Sequence, residues 1–298
     1  MTLSAPPGYT PPGYAHPDVL VSAEWLAGRL HDNSVQIVEV GMSPDSCAEH
    51  IPGAVFWHIF TDLINPDFSQ KLDPAAMATL LSRSGITPET TVIAYGSEPG
   101  TGGWMFWLLT LMGHRHVRVL NGGHRYWVKH GHPVTDQFSI PNPTTYPTEA
   151  LTADLQDTER RITYADLRAL FQQSDRSEVA PIFLDVRTER EYSGKQYLIK
   201  PPEEDERAGH IPGAVHLDHL LTMNEDGTFK GFDELKSLLV GKGITSDSVV
   251  VPYCAIGARS AYMWFVLKYL LGYPTVRNYD GSWNEWSRVP DAPVDSSF

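Results

Sequence analysis

The stretch of this chain best suited to chemistry is Val249-Val250-Val251-Pro252-Tyr253-Cys254-Ala255-Ile256-Gly257-Ala258-Arg259-Ser260. A β-branched run ends, a cysteine follows at once, and a short loop at 254–259 containing Gly257 feeds a helix. A tight loop ahead of a helix turns successive backbone N–H groups inward, and those donors make an anion cradle with the helix N-terminus. A thiol at its centre is expected as the thiolate, shifted down from a free value of about 8.5. Arg259 adds a full positive charge. The same donors, Ala255, Ile256, Gly257, Ala258 and Ser260 among them, suit the terminal sulfur of a persulfide equally well. The competing reading of Cys254 is a buried structural thiol, a common fate of free cysteine; the strand–cysteine–loop–helix context weighs against it.

The elements that must position this loop read as alternating strands and helices. Ile37-Val38-Glu39-Val40, Val92-Ile93-Ala94-Tyr95 and Val117-Arg118-Val119-Leu120 are short apolar runs, as are Ile182-Phe183-Leu184-Asp185-Val186, Val249-Val250-Val251 and the neighbourhood of Val276. Such runs fit a parallel sheet covered on both faces. Helices are expected over 73–84, 103–112, 164–172, 232–242 and 260–271. In α/β architecture, ligands gather at the carboxyl ends of strands, where Cys254 stands.

The chain repeats itself. His50-Ile51-Pro52-Gly53-Ala54-Val55 returns as His210-Ile211-Pro212-Gly213-Ala214-Val215; Tyr95 answers Tyr253; Asn121-Gly122-Gly123 with Trp127 answers Tyr279-Asp280-Gly281 with Trp286. Matched landmarks in one order at nearly constant offset indicate a tandem duplication. Glu39 answers Asp185 at a shorter offset, so the second repeat holds extra residues around 194–206. A Pro-rich tail is expected at 1–17, a first domain at 18–135, a linker at 136–160 and a second domain at 161–298.

Composition bounds the function. The 298 residues are 42% hydrophobic and 20% charged, ordinary for a globular protein of about two domains. No apolar run reaches the ~18–20 residues of a membrane helix, and the opening MTLSAPPGYTPPGYAHP lacks a basic region followed by an apolar core. The net charge of −13, with no basic patch, argues against nucleic-acid and membrane partners. Two cysteines cannot form a disulfide scaffold, which points to a reducing, cytoplasmic setting.

Together, the paired HIPGA motifs, the Cys-x-x-Gly-x-Arg-Ser loop, Leu184-Asp185-Val186-Arg187 with Glu191-Tyr192, and the segment Tyr279-Asp280-Gly281-Ser282-Trp283-Asn284-Glu285-Trp286 resemble the tandem-domain rhodanese sulfurtransferases over residues 19–286. The resemblance implies an α/β fold of two tandem rhodanese-like domains, each a mainly parallel sheet with helices on both faces. It implies that only the second is catalytic: the first has Gly96 in place of the cysteine and Gly41 in place of Arg187. The implied chemistry is double displacement through a covalent Cys254 persulfide with no separate cofactor. Arg187 matches a family arginine that binds the donor's anion, its alternative being a salt bridge to Glu189 or Glu191. Trp283 packs either against the cleft or in the core.

Thiosulfate is the leading donor by resemblance and 3-mercaptopyruvate the runner-up. Ala255 and Ile256 match neither donor pattern, whereas the Cys-x-x-Gly-x-Arg-Ser form and Trp264-Phe265-Val266-Leu267 look closer to bacterial tandem thiosulfate sulfurtransferases. Cyanide, a small thiol, thioredoxin or another protein would serve as acceptor. A non-catalytic docking or sulfur-carrier protein on the same scaffold is the rival reading. A cysteine phosphatase fits poorly, because only four residues separate Cys254 from Arg259. The histidines His114, His116, His124, His130 and His132 lack metal-ligand spacing and read as surface and loop residues. Cys47 reads as a loop thiol, and Glu203, Glu204, Asp205 and Glu206 as a solvated loop.

Overall fold

The computed structural model describes residues 13–46, 48–151, 157–173, 180–198 and 200–296. Cys47 and the first twelve residues lie outside them.

The first half is a parallel sheet of five strands: β1 (Leu20–Val21), β2 (Val35–Gly41), β3 (Val55–His58), β4 (Thr91–Gly96) and β5 (Val117–Leu120), ordered β1-β5-β4-β2-β3. Residues 37–41 of β2 and 91–95 of β4 are buried without a break, as a sheet covered on both faces requires. Its helices are α1 (Ala23–Ala27), α2 (Pro74–Arg83), α3 (Thr101–Leu111) and α4 (Gly123–Lys129). Asp73 caps α2 by accepting the Ala76 N–H, and Pro74 takes the first helical position, where its missing N–H costs nothing.

The second half repeats the plan with fewer regular pairs: β6 (Ile182–Asp185), β7 (Val215–His216) and β8 (Val250–Tyr253), ordered β7-β6-β8 and all parallel. Its helices are α5 (Tyr164–Gln173), α6 (Glu189–Tyr192), α7 (Phe232–Val240), α8 (Ala258–Phe265) and α9 (Ser282–Trp286). The strand expected around Val276 is reduced to a bridge with Val250. Pro252 is the reason. Val250 donates to Thr275 O, Arg277 donates to Val250 O and Tyr279 donates to Pro252 O, but Pro252 has no N–H to continue the ladder toward Arg277. The helix expected over 260–271 begins two residues earlier and ends as a π turn at Val266–Leu270.

One core joins the halves. All of α3 is buried except Thr110, and α8 lies against it, with Phe106 and Phe265 in edge contact at 4.9 Å. A helix apolar all round belongs inside a protein, and these two form its middle. Gly103 permits the approach: a Cβ there would stand 3.2 Å from the Tyr262 Cα.

Other segments are tied down more than their composition suggests. Tyr14 is buried and its hydroxyl donates to Lys230 O, so residues 13–17 of the Pro-rich tail lie against the second half. In the 136–160 stretch, Tyr146 and Leu151 join the core, and Thr144 bonds to Ser82 and Ile86. His114 is buried rather than at the surface: its Nδ1 lies 2.9 Å from the Tyr146 hydroxyl, and burial lowers its pKa to about 4. In the acidic loop, Glu203, Glu204 and Asp205 are exposed as expected, and Lys200 pairs with Glu203 and Glu206.

Candidate active site

β8 delivers Cys254 to its carboxyl end, and the chain turns into α8 through Ala255, Ile256 and Gly257. The turn is shorter than the 254–259 loop expected: Ala258, Arg259 and Ser260 already form the first turn of α8. Gly257 has φ +92°, and a Cβ there would collide with the Asp280 carbonyl, so no other residue fits.

Each carbonyl of this turn is taken by a donor outside it. Cys254 O accepts from Trp283 N at 2.9 Å, Ala255 O from Asn284 N at 2.9 Å, Ile256 O from Gln70 Nε2 at 2.7 Å, and Gly257 O from Ser260 Oγ at 3.1 Å. The N–H side of the turn is thereby left toward the sulfur, where Gly257 N donates to Cys254 Sγ at 3.2 Å. Two hydroxyls flank the same atom, Ser260 Oγ at 3.6 Å and Ser282 Oγ at 3.9 Å. A hydroxyl has one proton. Ser282 spends its own on Tyr279 O at 2.8 Å while accepting the Cys254 N–H at 3.0 Å; Ser260 divides its own between Gly257 O and the sulfur. Ser282 has φ +52°, a conformation that costs a non-glycine residue roughly 1–2 kcal/mol. Cys254, Gly257 and Ser260 are buried; Ile256, Ala258 and Arg259 are partly exposed.

Two guanidinium groups stand nearby, each compensated by a buried carboxylate. Arg187 is 1% exposed and presents almost no surface to a ligand. It donates to Asp185 at 2.6–3.1 Å and to Gly209 O at 2.7 Å, and its Cζ lies 4.7 Å from the Trp283 ring centre. Its partner is therefore Asp185, not Glu189 or Glu191, and Trp283 is a fully buried core residue beneath it. Arg259 forms a two-pronged pair with Glu191 at 2.8 and 2.6 Å. Burial works against the charge of both members, but their mutual bonds outweigh it: Arg259 is held more firmly protonated and Glu191 below the ordinary carboxylate range. Glu191 also accepts from Thr188 N and Oγ1, closing the capping box of α6.

The matching place in the first half has the same skeleton and no reactive group. Ile51 N donates to the Tyr95 hydroxyl at 3.2 Å as Ile211 N does to that of Tyr253 at 3.1 Å, and Gly100 repeats the φ of Gly257 at +89°. A Cβ at Gly96, however, would collide with Val40 O, so no side chain fits there. Glu39 binds His50 and the Tyr95 hydroxyl instead of an arginine. A cavity of about 320 Å³ remains, lined by Ser97, Glu98, Thr101, Arg125, Met223 and Tyr262 among others.

Sequence reasoning missed Ser282, Gln70 and the Glu191–Arg259 pair. The structure sets Ser282, not Gly281, opposite Gly123: each opens its helix with φ +52°, four residues before Trp286 and Trp127 respectively, so the one-residue shift hid Ser282 from the motif comparison.

Two half-sites of one plan, with a cysteine at the carboxyl end of the parallel strand β8 in only the second, define a tandem rhodanese-type protein. The Rhodanese-like domain profile matches residues 22–130 and 163–289, and the chain belongs to that family. It is 38% identical over 290 residues to the sulfur carrier protein TtuD of Thermus thermophilus, covering 95% of this chain and 98% of that one. It is 35% identical over 291 residues to the thiosulfate sulfurtransferase of Corynebacterium glutamicum, covering 95% and 92%. Among solved structures, the anaerobic ergothioneine biosynthesis enzyme from Chlorobium limicola superposes with a TM-score of 0.79 at 25% identity, over 96% of this chain and 72% of that one. No helix among the described residues is long and apolar enough to cross a membrane.

Proposed function

We propose that this chain is a sulfurtransferase that carries sulfane sulfur as a persulfide on Cys254, taking it from thiosulfate and yielding it to a thiophilic acceptor such as cyanide or a thiol. The observation that carries the reading is the Gly257 N–H on Cys254 Sγ at 3.2 Å, in a turn whose carbonyls are all bonded elsewhere. Names of relatives that include a thiosulfate sulfurtransferase support it.

The Cys254 thiolate attacks the outer sulfur of thiosulfate. A Sγ–S bond forms, the bond from that sulfur to the sulfonate breaks, and sulfite leaves with the electron pair. The negative charge then rests on the terminal sulfur, within reach of the turn's N–H groups and the Ser260 hydroxyl. Preorganised donors of this kind stabilise charge without reorganising. An acceptor nucleophile takes the terminal sulfur, as cyanide does to give thiocyanate, and the thiolate returns. The cycle is ping-pong and needs no cofactor. Ala255, Ile256 and Ala258 supply backbone around the sulfur. Arg259 is the cation a donor meets first, because it is partly exposed, and Arg187 holds Asp185 and Trp283 in place beneath the site.

A second reading, that the protein chiefly carries sulfur between proteins, is favoured by one observation: both arginines are already neutralised, by Asp185 and Glu191. A site with little net positive charge is poorly set up for a small dianion. The relative described as a sulfur carrier is consistent with it. Steady-state transfer to cyanide from thiosulfate and from 3-mercaptopyruvate, with wild type and Cys254→Ser, separates the cases. Turnover with thiosulfate that vanishes in the variant is the expected result. A preference for mercaptopyruvate reassigns the donor, and no turnover with either donor favours the carrier reading.

A further inference from the structure

The hydrogen bond on the Cys254 sulfur comes from a peptide unit that the other half of the molecule grips by its opposite end. Ile256 C=O and Gly257 N–H belong to one planar peptide group. The N–H points at Sγ at 3.2 Å, and the C=O accepts from Gln70 Nε2 at 2.7 Å. Gln70 lies in a hairpin of the first half and is 5% exposed. Its Oε1 accepts from Trp104 Nε1, on α3, at 2.8 Å. The orientation of its amide follows from chemistry: the indole N–H can only donate and the carbonyl can only accept, so Oε1 must face Trp104 and Nε2 must face Ile256.

We infer that Gln70 is a positioning residue for sulfur chemistry, acting through the 256–257 peptide to aim and polarise the N–H that holds charge on Cys254. The inference rests on the sulfurtransferase reading above. Two effects follow from the geometry. A planar peptide bonded at its oxygen cannot rotate its N–H away from the sulfur. A hydrogen bond accepted at C=O also strengthens the one donated at N–H, an effect put at roughly 10–30% per bond.

The duplication supplies an internal control. Residue 70 answers residue 229: Ile64 bridges Gln70 as Met223 bridges Phe229, and Lys71 N donates to Leu63 O as Lys230 N does to Thr222 O. The hairpin that faces the turn bearing the cysteine carries glutamine, and the hairpin that faces the empty turn carries phenylalanine, whose side chain stacks on Tyr262. At this hairpin position an amide side chain is present only in the copy that faces the cysteine.

The test reads the thiol directly, with no sulfur donor present. The rate of Cys254 alkylation by iodoacetamide is followed against pH in the wild type, Gln70→Met, Trp104→Phe and Phe229→Leu. Access to the buried sulfur scales the whole profile, whereas the midpoint reports the thiolate. Gln70→Met preserves shape and removes both polar ends, and its midpoint should move up by about one pH unit, a tenfold smaller thiolate fraction below the midpoint. Its kcat for transfer to cyanide should fall by a similar factor with little change in KM for the donor. Trp104→Phe leaves the Gln70 donor in place but unanchored and should shift the midpoint the same way by less. Phe229→Leu should leave the midpoint in place, whatever it does to thermal stability. An unmoved midpoint in folded Gln70→Met overturns the inference; should that variant not fold, an unmoved midpoint in Trp104→Phe does so. Failure of the wild type to turn over any donor would instead count against the sulfurtransferase reading, and the alkylation profiles would still be measured.

Discussion

In each half a tight hairpin crosses to cover the turn of the other. Residues 65–70 lie over the Cys254 turn, and residues 224–229 lie beside the Gly96 turn. The hairpins are built alike: Asn65 Nδ2 bonds to Ser69 and Gln70 as Asn224 Nδ2 bonds to Thr228 and Phe229, and Asp67 caps Ser69 as Asp226 caps Thr228. The turns beneath them share the tyrosine–isoleucine bond and the left-handed glycine. They differ at the candidate site: Cys254 for Gly96, Arg187 for Gly41, Ser282 for Gly123. The scaffold of the candidate site is therefore common to both halves, and the side chains the proposed function relies on are present in one copy.

The strongest way to break this comparison is to give the first half a nucleophile. Gly96→Cys should fail as a graft, because its Cβ would collide with the Val40 carbonyl. We expect a loss of stability above about 3 kcal/mol in urea unfolding and no second persulfide. A stable variant that gains a second reactive thiol would show that the halves differ by one residue only.

Glu191→Gln sharpens the electrostatic difference. It leaves Arg259, a quarter exposed, without its carboxylate. KM for thiosulfate should fall about three- to tenfold and become more salt-dependent, as an exposed charge contact does. Stability against unfolding should fall by about 1–2 kcal/mol, less than for a fully buried pair.

Ser282→Gly makes the second half resemble the first at its left-handed position. The backbone is relieved at φ +52°, while the Cys254 N–H loses its 3.0 Å acceptor. These terms oppose each other, so melting should change by no more than about 1 kcal/mol, and kcat should fall about threefold to tenfold with the sulfur less well held.

The smallest expected effect on turnover lies in the first half, at His114, where only stability at acid pH should change. Its folded pKa of about 4 lies below the ordinary 6.5. Between those values the unfolded chain binds a proton that the folded chain refuses, so stability rises with pH across that window and is lost as pH falls through it. The full shift corresponds to about 3 kcal/mol by pH 4. His114→Asn, which can keep the bond to Tyr146, should flatten that part of the urea-midpoint profile and leave turnover per folded molecule unchanged.

Much of this was legible in residue order. The doubled HIPGA motif marked the two halves, the apolar runs marked most central strands, and the Cys254–Gly257 spacing pointed to the turn that forms the candidate site. What was not legible depends on contacts that no local period reports. Gln70 and Ile256 are 186 residues apart. On paper Arg187 pairs with Glu189 or Glu191; the fold instead assigns Asp185 to Arg187 and Glu191 to Arg259. His114 sits among other histidines in sequence and alone against Tyr146 in the core. Pro252 shortens a ladder that the β-branched residues beside it favour.

The central claim is that sulfur resides on Cys254. Intact-mass measurement of the protein after incubation with thiosulfate, before and after cyanide, tests it most directly. The account predicts a gain of one sulfur atom on the wild type, mapped to the peptide containing Cys254, removed by cyanide and absent from Cys254→Ser. A sulfur adduct of equal yield in Cys254→Ser, or none in active wild-type protein, would contradict it.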